Sequence, residues 1–167
     1  IPNYKPWALT GSKGKSHRNV IKSYRALPED LEVHVNHLFE KYRKAEKDLV
    51  RYETINTKDA EIVFVAFGTM ARIVSEVIEV LNAEGIKAGM IRPISLWPFP
   101  KAPFDELSPD KTKVVISTEL NMGQMIFDVQ LSLNGRIPVR LINRVGGIVP
   151  TTDEIVERAK KILGEIK

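Results

Sequence analysis

Two rhythms of apolar residues divide the sequence. Leu31, Val35, Leu38, Phe39, Tyr42, Ala45 and Leu49 recur at three- and four-residue intervals, which predicts an amphipathic helix. Pro28 suits its first turn, and Glu29 and Asp30 sit near its positive end. From Glu61 onward, short β-branched runs alternate with helical stretches. Ile62-Val63-Phe64-Val65-Ala66-Phe67 is a continuous apolar run of the kind that forms a strand buried on both faces. Gly68-Thr69 then opens a helix with Met70, Ile73, Val74, Val77, Ile78 and Leu81 on one side, ended by Gly85. Ile86 to Ile91 predicts the next strand, and Pro98 to Leu107 a proline-punctuated loop holding a short helix. Lys113 to Thr118 predicts a third strand and Met122 to Leu133 a second crossover helix. Gly135 stops that helix, Pro138 to Asn143 predicts a fourth strand, and Gly146-Gly147 turns the chain. Thr151 with Glu154 three residues on is a capping box for a last helix through Ile155, Ala159, Ile162 and Leu163.

Such alternation specifies an α/β fold of three layers, αβα, with a mostly parallel sheet between helices. The first 26 residues, with two prolines, two glycines and no periodicity, read as an extended arm in which Tyr4 and Trp7 are expected to pack. Thr54 to Lys58 is a short polar break. The expected organisation is therefore an arm and helix over residues 1–57 and an α/β domain over 58–167. A length of 167 residues suits one domain with an appended arm. The start at Ile1, without methionine, reads as the middle of a longer protein.

Charge changes this picture only in the arm. The net charge is +4; residues 1–57 carry 11 basic and 7 acidic side chains, whereas residues 58–167 carry 14 of each. Lys5, Lys13, Lys15, Arg18, Lys22 and Arg25 fall within the first 25 residues with no acid among them, a pattern that suits a solvated or subunit-contacting linker or a phosphate-bearing or acidic partner. Nucleic acid is disfavoured because stacking aromatics do not interleave with the bases. There is no cysteine, which excludes from this chain disulfides, a thiolate nucleophile and sulfur-held iron or zinc. No apolar run reaches the ~18–20 residues of a membrane span, and no signal peptide is legible, so a cytoplasmic location is expected.

Candidate chemistry gathers where strands should end. Gly68-Thr69 lies between a buried strand and a helix start, a place that serves either as a structural turn or as an anion site, with the threonine able to cap. No GxGxxG accompanies it, so a nicotinamide site is unsupported. Glu119, Asn121, Gly123 and Gln124 follow the third strand directly and belong on the carboxyl edge of the sheet. Glu119 offers an acid or base, yet no partner base or nucleophile stands near it in sequence, and capping, loop fixation or subunit contact explains the segment with less. Trp97, in the stiff run Arg92-Pro93-Ile94-Ser95-Leu96-Trp97-Pro98-Phe99-Pro100, suits an interface anchor or core packing. His34 and His37 lack a third ligand and are read as surface or packing residues. No residue is assigned to catalysis, cofactor binding or metal binding.

Several of these segments, together with Val65-Ala66-Phe67-Gly68-Thr69, Gly85-Ile86-Lys87 and Asn143-Arg144-Val145-Gly146-Gly147, resemble the alpha subunit of 2-oxoacid:ferredoxin oxidoreductases. The runs Trp97-Pro98-Phe99-Pro100 and Glu119-Leu120-Asn121-Met122-Gly123-Gln124 carry most of the resemblance. It falls on the subunit's transketolase C-terminal-like part, domain II, and the arm Tyr4-Lys5-Pro6-Trp7-Ala8-Leu9-Thr10-Gly11 is similar to the interdomain stretch of the 2-oxoisovalerate (ketoisovalerate) and 2-oxoglutarate types. The resemblance implies a part in coenzyme A-dependent oxidative decarboxylation of a 2-oxoacid, with electrons passing to ferredoxin. It implies thiamine diphosphate, magnesium and iron-sulfur clusters in the whole complex but not in this chain. It further implies a beta subunit and other subunits as partners, and an isolated chain without activity. The C-terminal domain of a transketolase or pyruvate dehydrogenase E1 beta subunit, and a free-standing anion-binding module, are the alternatives.

Overall fold

The computed structural model describes residues 5–166 and divides into two compact units, Ile1–Arg43 and Lys44–Lys167. In the first, the arm folds into a loop closed by Asn19, whose side-chain amide donates to the carbonyls of Pro6 and Ala8 at 2.5 and 2.9 Å. Trp7 is exposed, with the Lys5 ammonium 5.6 Å from its ring centre, and Tyr4 lies outside the described residues. Helix α1 (Pro28–Asp48) forms as its periodicity predicts, but none of its residues is buried.

The second unit holds a five-stranded sheet: β1 (Tyr52–Ile55), β2 (Ile62–Val65), β3 (Ala88–Pro93), β4 (Val114–Glu119) and β5 (Val139–Asn143). Their order across the sheet is β1-β3-β2-β4-β5; β1 runs antiparallel to β3 and every other pairing is parallel. Helices α2 (Gly68–Ala83), α3 (Ala102–Asp105), α4 (Met125–Leu133) and α5 (Thr152–Glu165) connect or follow these strands. The residues of β2 alternate between two cores. Ile62 and Phe64 pack with Val74, Leu81 and Ile155 of α2 and α5, while Val63 and Val65 pack with Phe104, Val129 and Leu133 of α3 and α4. The layers are therefore α2/α5, sheet, α3/α4, the three-layer α/β arrangement that the alternation predicts.

Strand β1 is the element that the apolar pattern passes over, since all four of its residues are exposed and Thr54 and Ile55 fall in what reads as a polar break. It joins the sheet because Gly89 of β3 leaves room for it. A Cβ at Gly89 would stand 2.6 Å from the Asn56 carbonyl oxygen and 2.7 Å from that of Ile55. The strand expected from Ile86, β3, begins instead at Ala88, for Asn82 receives the Ala88 amide on its side chain at 2.9 Å and returns its own amide to the Ala88 carbonyl at 3.2 Å, fixing the turn out of α2. Among the described residues no helix is long and apolar enough to cross a membrane.

Candidate functional site at the carboxyl edge of the sheet

The chain runs from β2 through α2 to β3 on one side, then crosses back to place β4 on the other side of β2. The carboxyl ends of β2 and β4 thus flank the point where strand order reverses, where open α/β sheets form a crevice. Phe67 leaves β2 on one side of it, and Glu119 ends β4 on the other. The Thr118 hydroxyl donates to the Val65 carbonyl at 3.2 Å and binds the two strand ends together.

Glu119 is 1% exposed, which for an ionised carboxylate demands full hydrogen bonding. It has it. One carboxylate oxygen accepts the backbone amides of Gln124 and Met125, each at 2.9 Å; the other accepts the Ile126 amide and the Ser117 hydroxyl, also at 2.9 Å. These amides are the unpaired donors at the head of α4, so Glu119 serves that helix as its anionic cap, reached from the preceding strand. Burial pushes the Glu119 carboxyl up, but the amides of Gln124 and Met125, the Ser117 hydroxyl and the Ile126 amide together outweigh it and hold it below the ordinary glutamate pKa. A carboxylate held in this way is a poor proton carrier near neutrality.

The turn between β4 and α4 explains why that helix begins at Met125 and not at Met122. Asn121 accepts the Gly123 amide on its side chain at 2.7 Å, and its carbonyl accepts the Asn143 side-chain amide from β5 at 2.7 Å. Gly123 has φ +100°, and a Cβ there would press on Leu141 and Ile126 at 3.1 and 3.2 Å.

A cavity of about 210 Å³ opens beside this turn, lined by Phe67, Leu96, Phe99 and Met125 and by the polar Glu119, Asn121, Gln124 and Asp128. The structure so brings together Glu119, Asn121 and Gln124 of the residues singled out above, with Gly123 shaping their turn. Gly68 and Thr69 are exposed at the head of α2. Thr69 does not cap that helix: the cap position is Phe67, with no side-chain bond. Trp97 is 61% exposed, on the surface rather than in the core. Leu96 and Asp128 line the cavity without having been singled out individually, while Phe67 and Phe99 come from the strand-to-helix turn and the stiff aromatic run. Asp128 lies nine residues past Glu119 on a helix, and only the fold brings it to the crevice.

The carboxyl edge also differs from the opposite one in what it exposes. The loop after β3 exposes Ile94, Leu96 and Trp97, the loop after β4 exposes Leu120 and Met122, and the loop after β5 exposes Val145, Ile148 and Val149. Among the described residues, the loops at the amino edge expose no large apolar side chain. Phe127 and Leu131 add to this surface from α4, each about two-thirds exposed. One-sided apolar exposure on this scale marks an interaction surface.

Comparison with known proteins places these features in a family. A family model described as "Pyruvate:ferredoxin oxidoreductase core domain II" matches residues 60–155. The chain is 36% identical over 159 residues to the ketoisovalerate oxidoreductase subunit VorB of Methanothermobacter marburgensis, covering 95% of this chain and 44% of that protein. It is 31% identical over 137 residues to the 2-oxoglutarate synthase subunit KorA of the same organism, covering 82% of this chain and 36% of that one. The chain thus spans less than half the length of these relatives. In fold it is similar to 2-oxoglutarate:ferredoxin oxidoreductase from Magnetococcus marinus, with TM-score 0.72 and 24% identity over 93% of this chain and 28% of that one.

Proposed function

Because the chain belongs to the pyruvate:ferredoxin oxidoreductase core domain II family, we propose that it is the domain II portion of the alpha subunit of a 2-oxoacid:ferredoxin oxidoreductase, nearest to the 2-oxoisovalerate and 2-oxoglutarate types. The whole enzyme, in the cytoplasm, converts a 2-oxoacid and coenzyme A to acyl-coenzyme A and carbon dioxide while two electrons pass to ferredoxin. Within it this domain builds and holds the assembly, in contact with the beta subunit and other subunits, and is not itself catalytic.

The observation that carries this division of labour is the state of Glu119. It is the acid best placed for chemistry at the strand-order reversal, and it is engaged by three backbone amides and a hydroxyl inside its own chain. Around it the edge presents apolar side chains, which suit contact with protein. The iron-sulfur clusters of such an enzyme do not fit the residues here, and its thiamine diphosphate with magnesium is assigned to the rest of the assembly. The chain has no cysteine, and no three metal-binding side chains cluster among the described residues. No chemical step is therefore assigned to this chain.

The test is reconstitution of the full alpha subunit with its partner subunits, assayed for ferredoxin reduction and acyl-coenzyme A formation with 2-oxoisovalerate, 2-oxoglutarate and pyruvate. Activity dependent on the assembly, and none from the isolated chain, is expected. Turnover by the chain alone would overturn the assignment.

A further inference from the structure

The cavity at the strand-order reversal has a composition that its role as a turn does not require. Its floor is apolar, formed by Phe67, Leu96, Phe99 and Met125, and its charged lining is acidic only. Of the two acids, Glu119 is occupied by the head of α4. Asp128 is not: its carboxylate has no hydrogen bond or ion pair among the described residues, and the Gln124 side chain beside it is also unbonded. At about 210 Å³ the cavity is smaller than the ~300–1,000 Å³ of sites that enclose a whole small-molecule ligand. It is of the size to take one long side chain. It lies within the exposed apolar edge, where the loops after β3 and β4 present Leu96, Trp97, Leu120 and Met122 around it.

From this geometry we infer that the cavity is a socket for a basic side chain, arginine above all, projected by a partner protein that covers the carboxyl edge. The aliphatic stem lies on the apolar floor, as long cationic side chains do, and the guanidinium bonds the Asp128 carboxylate, with the side-chain oxygen of Gln124 as a second acceptor. The partner's matching face is accordingly apolar with one or more basic anchors at its centre, the composition of an interface hot spot. This deepens the proposal that the edge is a subunit contact and rests on it. It adds the chemistry of the contact.

Two experiments separate the socket from the assignment of function. In the first, amide resonances of the full chain are followed on titration with acetyl-arginine amide and with acetyl-citrulline amide, its uncharged counterpart. Saturable shifts confined to Phe67, Leu96 and Gln124 to Asp128 are expected from the arginine probe, with citrulline about tenfold weaker for loss of a charge-assisted hydrogen bond. Asp128→Asn, a change at an exposed position, removes the discrimination and leaves the remaining spectrum in place. In the second, Asp128→Lys in the co-expressed complex weakens subunit association at least tenfold. Equal binding of the two probes, or an assembly indifferent to Asp128→Lys, overturns the socket while leaving the family role intact. Arginine-selective binding by a chain that joins no oxidoreductase subunits supports the socket and overturns the assignment of function instead.

Discussion

Replacing Glu119 by glutamine tests whether this carboxylate is a structural cap. The amide keeps the shape of the side chain but only one acceptor oxygen. With that oxygen turned toward the Gln124 and Met125 amides, the new NH2 group faces the Ile126 amide, while the Ser117 hydroxyl can rotate to accept. The half-buried Ile126 N–H loses its partner, which costs about 1–3 kcal/mol. Loss of the negative charge at the head of α4 adds about 0.3–1 kcal/mol, up to ~2 for a buried site. Glu119→Gln should therefore destabilise the domain by about 2–4 kcal/mol at pH 7, lowering the thermal midpoint by roughly 8–16 °C for a domain of this size. Urea denaturation followed by far-ultraviolet circular dichroism measures it. The dependence on pH has a definite sign. The folded carboxyl is held below the ordinary glutamate value, so its contribution is complete above the unfolded pKa and is lost as pH falls through the folded one. Wild type and variant should run parallel from pH 6 to 8 and converge in acid below about pH 4.5. A stability within about 0.5 kcal/mol of wild type at pH 7 would refute the cap, as would a gap that does not close in acid. In the assembled enzyme a structural cap predicts activity that follows the folded fraction. A catalytic acid would instead remove turnover from fully folded protein.

Gly89→Ala drives a methyl into the backbone at Asn56 and Ile55, and neither carbonyl can move without shifting β1. A loss of about 1–3 kcal/mol by urea denaturation is expected, with faster amide exchange concentrated in Tyr52–Ile55. Thr151→Ala removes the hydroxyl that accepts the Glu154 amide at the head of α5, at 3.2 Å, and should cost about 1 kcal/mol, with Thr151→Ser restoring most of it in a thermal melt. Phe127→Ser and Leu131→Ser change side chains that are about two-thirds exposed, so the stability of the chain should stay within about 0.5 kcal/mol. Association with partner subunits, read by sedimentation, should weaken in both; unchanged association would remove α4 from the interface.

What was legible in the sequence was what local spacing determines. The buried runs of β2 and β4 and the apolar stripes of α2 and α5 each follow from neighbours within a turn or two, and together they specify the layered α/β fold. The capping box at Thr151 was half legible. Its hydroxyl accepts the Glu154 amide, but the Glu154 side chain turns away to Arg144, at 2.8 Å, instead of returning to Thr151. Strand β1 was not legible, because its place depends on a missing side chain at Gly89 and on the Glu53–Arg92 pair, 39 residues apart in sequence. The candidate site divides along the same line. Glu119 and its turn could be marked from their position after a strand, whereas Phe67, Phe99 and Asp128 meet only because β2 lies between β3 and β4.

The carboxylate at the head of α4 has one more consequence, for the small anions that surround a metabolic protein. A helix start at a strand-order reversal is a natural seat for free phosphates and carboxylates. Here the seat is filled by an acid tethered a few residues away, and a tethered group competes at an effective concentration that dissolved metabolites do not match. Swings in phosphate or organic acid levels therefore leave the head of α4 untouched, and the turn that Glu119 holds keeps its shape whatever the chemistry of the surrounding solution.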